Sequence, residues 1–60
     1  MSAETDAIDT EIAECTVKMQ AAADAGNSIE YLHYVDDIAT LTLVNAALKD
    51  LDTRLAALEP

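Results

Sequence analysis

The stretch NSIEYLHYVDDIATLTLVN, residues 27–45, decides the fold of this 60-residue chain. Its Ile, Val, Thr and Tyr favour strands, yet no glycine, proline or Asn-Gly turn interrupts it. Read as strands, IEYLHYV and IATLTLV form a β-hairpin turning at Asp36-Asp37, with Thr40 or Asn45 capping a shorter final helix. Asp-Asp is a poor two-residue turn, because a type I′ turn needs positive φ at both centres and prefers Asn-Gly or Asp-Gly. The hairpin would also leave two apolar edge strands open in a tiny domain. Read as a helix, the same residues place Tyr31, Tyr34, Ile38, Leu41 and Val44 on one seam. The spacing predicts the first half of a long helix, with helix–β-hairpin–helix as the alternative.

Residues 5–25 read as a first helix. Thr5 is a candidate N-cap, and Asp6 and Asp9 lie in the first turns, where the helix dipole favours negative charge. Ile8, Ile12, Cys15, Met19 and Ala22 recur at alternating steps of four and three, which is the seam of a helix packed on another helix. Gly26 fits the position just past a helix end, where a left-handed residue closes it. Asn27 or Ser28 can cap the next element. Folding the chain back over a turn at 26–28 sets Met19 against Tyr34, Cys15 against Ile38 and Ile12 against Leu41, with Ile8 near Val44. The expected fold is all-α: an antiparallel two-helix hairpin, helix 1 about 5–25 and helix 2 about 29–58, in a single domain over 1–60.

Beyond Val44 the seam continues as Leu48, Leu51, Leu55 and Leu58. In the same register Leu48 faces Thr5 and Leu51 faces the chain start, so helix 1 runs out. The segment from Leu48 to Leu58 then projects by about 15 Å at 1.5 Å per residue. A stripe of leucines with Asp50 and Arg54 beside it needs cover from another chain. These four leucines are the expected partner-binding residues, and oligomerisation is the expected remedy for a small core. A chain of this size has a core worth only about 3–5 kcal/mol. Cys15 is the single cysteine and cannot form an internal disulfide.

Twelve acids against three bases give a net charge of −9. Acids are spread on both sides of Gly26, so there is no acidic tail. Direct binding to nucleic-acid phosphates is disfavoured, since that needs a basic surface. An acidic inhibitor that mimics DNA is the first functional alternative. The start, MSAETDAID, lacks the basic and apolar regions of a signal peptide, and the longest uncharged stretch, IATLTLVNAAL, is far shorter than the ~20 apolar residues of a membrane span. The expected location is the cytoplasm or a virion.

Chemistry-bearing residues are few. Glu30 and His33 have the Glu-x-x-His spacing of di-iron carboxylate bundles, and Asp37 follows one turn later. A metal-binding bundle is therefore the second alternative. The hairpin register offers these residues no inward glutamate from helix 1, so no metal or cofactor is expected. Cys15 sits in the apolar seam opposite Ile38 rather than near His33, which leaves it without an activating base. There is no glycine-rich phosphate loop and no Ser-His-Asp arrangement. The chain is not expected to be an enzyme.

AAADAG at the end of helix 1, then SIEY, then TLTLVNAALKDLDTRLAAL make the chain similar in length and layout to small head-completion (head–tail joining) proteins of tailed bacteriophages. The Thr40–Val44 stretch resembles that family's capped start of its second helix. The chain departs from it at LHY, where the family's hairpin turn usually has glycine or a similar residue, and at Asp36, where an apolar strand residue is expected. The resemblance implies a helix–β-hairpin–helix fold and a ring subunit between portal and tail that binds other virion proteins without catalysis. Together these readings give a non-enzymatic assembly subunit, partnered by itself or by other proteins of a larger particle, with no membrane contact.

Overall fold

The computed structural model describes residues 3–59. Two helices, α1 (Ala3–Asp24) and α2 (Ser28–Leu58), run antiparallel and pack along their lengths. The described residues contain no strand. The stretch 27–45 is helical after its first residue, so the β-hairpin alternative, and the layout implied by the phage resemblance, are not what the chain forms. With one continuous i→i−4 ladder, Asp36 and Asp37 never have to turn.

Three residues, 25–27, connect the helices, and the last two of them shape the turn. Gly26 has φ +71°, a left-handed conformation that costs other residues about 1–2 kcal/mol. The Asn27 amide donates to the Ala22 carbonyl at 2.9 Å and the Gly26 amide to that of Ala23 at 3.1 Å, the paired bonds that close a helix at glycine. Asn27 then opens α2, its side-chain oxygen accepting from the Glu30 amide at 3.1 Å. One asparagine ends the first helix with its backbone and starts the second with its side chain. Thr5 is not a cap: α1 begins at Ala3, and Thr5 lies inside it, fully buried.

On α1 the side facing α2 is Thr5, Ile8, Ile12, Cys15, Met19 and Ala22. This is the expected seam, extended by one further step of three. On α2 the buried or half-buried residues are Tyr34, Asp37, Ile38, Leu41, Asn45, Leu48, Lys49 and Asp52. Val44, expected in the core, is 47 % exposed, and Asn45 takes its place at 4 %. The reason is geometric. A step of four from Leu41 advances the helix face by about 40°, whereas a step of three falls back by about 60°. The spacing 34, 38, 41, 45, 48, 52 holds one face towards α1, and a seam through Val44 would swing away from it.

A polar clasp fixes that register. Asn45 Nδ2 donates to Asp9 Oδ1 at 2.6 Å, and Lys49 Nζ reaches the same oxygen at 3.4 Å. Opposite Asp9, a valine at the seam would have left the carboxylate without its short hydrogen bond. A polar residue in a helix seam fixes register at some loss of stability. The Asn45 Oδ1 is buried without a partner.

Candidate interaction surface

α2 has 31 residues and α1 has 22, so the longer helix extends past its cover. Leu48 remains half-buried, Lys49 touches Asp9, and Asp52 is half-buried; from Thr53 onward every described residue is exposed. The uncovered end, 53–58, is thus about 9 Å long by helix rise, shorter than the segment expected from Leu48 onward. Leu48 is shared between the hairpin seam and the stripe, while Leu51, Leu55 and Leu58 are 51, 57 and 81 % exposed.

Val44 joins these leucines. Leu41, Val44, Leu48, Leu51, Leu55 and Leu58 follow steps of three and four without a charged residue among them, which is a complete heptad seam. It is rotated by less than a quarter turn from the seam that meets α1 and shares Leu41 and Leu48 with it. At its margin, Arg54 Nε pairs with Asp50 Oδ2 at 3.1 Å, as the i,i+4 spacing predicts.

A further apolar line was not apparent from the hairpin seam. Ile29, Leu32, Val35 and Leu43 are exposed on the outer side of α2. Near the turn, Tyr31 and Leu32 border an open groove with Ala22, Ala23, Gly26, Asn27 and Ser28. Over residues 38–48 α2 is therefore uncharged around its circumference, the pattern of a helix surrounded by others, while Asp36, Asp50 and Arg54 put charge on its outer side before and after that stretch. The signal in the sequence is the absence of charge between Ile38 and Leu48 on any face. α1 is different: Val17 is its single exposed large apolar residue among those described.

The surface area expresses the same imbalance. The chain exposes 4442 Å², whereas a compact monomer of its mass exposes about 3,800 Å². Its radius of gyration is 14.8 Å against about 10 Å for a compact chain of this length. The molecule measures 53 × 14 × 10 Å, two helices wide and one helix thick.

The residues considered for metal chemistry do not converge. His33 Nε2 lies 3.4 Å from Asp37 Oδ2, and the His33 and Tyr34 rings are 5.5 Å apart. Glu30 is exposed. Among the described residues no group of three His, Cys, Asp or Glu side chains is placed to hold a metal ion. Cys15 is a half-buried free thiol in the seam. Among the described residues no helix is long and apolar enough to cross a membrane. No protein-family model, curated protein or solved structure matches the chain.

Proposed function

We propose that the chain is a non-enzymatic assembly subunit that packs onto other chains through the open face of α2. The carrying observation is the unbroken seam Leu41–Leu58, four of whose six residues are at least 47 % exposed. Six apolar side chains on one helical line give a partner helix a dry, continuous surface, and burial of each leucine is worth about 1.5–3 kcal/mol when complete. The setting is a multi-protein particle or a homo-oligomer in the cytoplasm. A head–tail joining role in a virion is the setting suggested by the phage resemblance, and it now rests on length and helix order, without the family's β-hairpin.

The test is Leu51→Asp with Leu55→Asp, read by light scattering and circular dichroism. Loss of assembly in a chain that keeps its helical spectrum supports the proposal. Unchanged assembly would place the interface elsewhere. The same measurement at high salt separates this reading from a DNA mimic, whose binding to a basic partner weakens as salt screens charge while leucine packing persists.

A further inference from the structure

Resting on that reading, we propose that the occupant of the open face is a second copy of this chain. Its α2 runs antiparallel to the first, setting Leu41 against the second copy's Leu58, Val44 against its Leu55, and Leu48 against its Leu51.

Three observations lead to this occupant. First, the open seam carries no charge between Leu41 and Leu58, so its partner must bring an equally long uncharged heptad stripe. The chain itself has one to offer, and a two-fold axis pairs such a stripe with itself. Second, the excess surface is on the order of 650 Å² per chain, from the observed 4442 Å² and the scaling for a compact monomer. Two chains that each covered an area equal to that excess would bury about 1,300 Å², the size of a stable interface, ~1,200–2,000 Å². Third, α1 has no second apolar stripe, and Glu4, Asp9, Glu11 and Lys18 flank its seam. The two copies therefore meet α2 to α2.

The antiparallel direction follows from the two ends of the seam. Asp37 lies one turn before Leu41 and is half-buried on the same side. A parallel pair brings Asp37 alongside its own copy, a like-charge contact. The antiparallel register places it beyond the end of the second copy's helix. A parallel pair would also leave the projecting ends, 53–58, to cover only each other in a stub of fewer than two turns, too short to be stable by itself. In the antiparallel register each projecting end lies along Leu41–Leu48 of the other copy, where that helix is backed by its own α1.

The experiment uses full-length chains with Cys15→Ala, one carrying Val44→Cys and the other Leu55→Cys, both at exposed sites. Oxidation of an equal mixture should give a disulfide-linked species at twice the 6.4 kDa chain mass, while each variant alone stays unlinked. In the proposed register a residue at 44 lies about 16 Å along the axis from its own copy, beyond the ~7 Å Cα limit for a disulfide. Linking of either variant alone would mean a parallel pair and overturn the proposal. A 6.4 kDa mass by light scattering with no linking in the mixture would overturn self-pairing but leave the open face free for a different protein. A dimer that persists in Leu51→Asp with Leu55→Asp would overturn both the register and the stripe as an interface. Helical circular dichroism of each variant establishes that it is folded.

Discussion

α2 presents two seams, and the one used inside the chain is the more polar. Towards α1 it turns Tyr34, Ile38, Leu41, Asn45, Leu48 and Asp52; on the adjacent face it turns Leu41, Val44, Leu48, Leu51, Leu55 and Leu58. If burial of apolar area alone chose the pairing, α1 would lie over the second set. It lies over the first, where Asn45 and Lys49 meet Asp9. The contrast teaches that direction-specific polar contacts set the internal register, and that the most apolar line of the molecule remains for intermolecular packing.

The same charge placed on each face should have opposite consequences. Ile12→Asp puts an unpaired carboxylate in the internal seam, where the group must either lose its hydration or force the helices apart. The core is worth only a few kcal/mol, so we expect most of the helical circular dichroism at 222 nm to be lost at room temperature. Leu55→Asp on the open face should leave that spectrum intact and act on native mass alone. If both variants unfold the chain, the two faces are one cooperative core. If Ile12→Asp keeps its helices, the internal seam contributes less than the open one.

Much of this architecture is legible in the residues. Gly26 and Asn27 mark the turn because only a few residue types serve as a left-handed closure and an N-cap. The α1 seam is legible because each of its steps from Ile8 to Ala22 carries an apolar residue. The α2 seam is not, because two of its six positions, Asn45 and Asp52, are polar and a hydrophobicity pattern passes over them to Val44 and Leu51. The missing clue lies in the partner helix. Asp9, flanking the α1 seam, matches an Asn and a Lys four residues apart on α2, which can grip one carboxylate only if position 45 faces inward. Thr5 was obscured in the same way, since a threonine near a helix start suggests a cap before it suggests a seam. The outer residues Ile29, Leu32, Val35 and Leu43 are ordinary apolar residues in sequence, and only the absence of any element over them makes them an open surface.

Removing the polar side chain from the internal seam should make the two faces of α2 alike. Asn45→Leu deletes the buried, unpartnered Oδ1, which costs about 1–3 kcal/mol while it stays unsatisfied. Asp9 keeps Lys49 and is nearly half exposed, so it rehydrates at little cost. We expect the thermal midpoint to rise by about 5–10 °C, at roughly 4–8 °C per kcal/mol for a domain of this size. The two faces of α2 would then be almost equally apolar, so the native mass distribution should broaden from one species to several. A higher midpoint with a single unchanged mass would show that Asn45 burdens stability without enforcing register. A lower midpoint would show that its hydrogen bond to Asp9 outweighs the orphaned oxygen.

The two cations of α2 that make ion pairs differ in what they join. Lys49 reaches across to Asp9 on α1 at 3.4 Å, whereas Arg54 pairs with Asp50 within its own helix at 3.1 Å. Both pairs are substantially exposed, and such pairs contribute about 0–1 kcal/mol before salt screening. Only the Lys49 pair joins the two helices, and it shares its oxygen with Asn45, so its loss acts on the hairpin as a whole. Lys49→Gln should shift the urea midpoint downward at low salt by an amount worth about 0.5 kcal/mol, and the shift should nearly vanish in ~1 M NaCl, where the Debye length is about 3 Å. Arg54→Gln should shift it less, because a local pair survives in any state that keeps α2 helical. The reverse order would mean that the margin of the open face, rather than the clasp at Asp9, supplies the electrostatic part of stability, as expected if Arg54 contacts a second copy and the folded species being melted is the assembly.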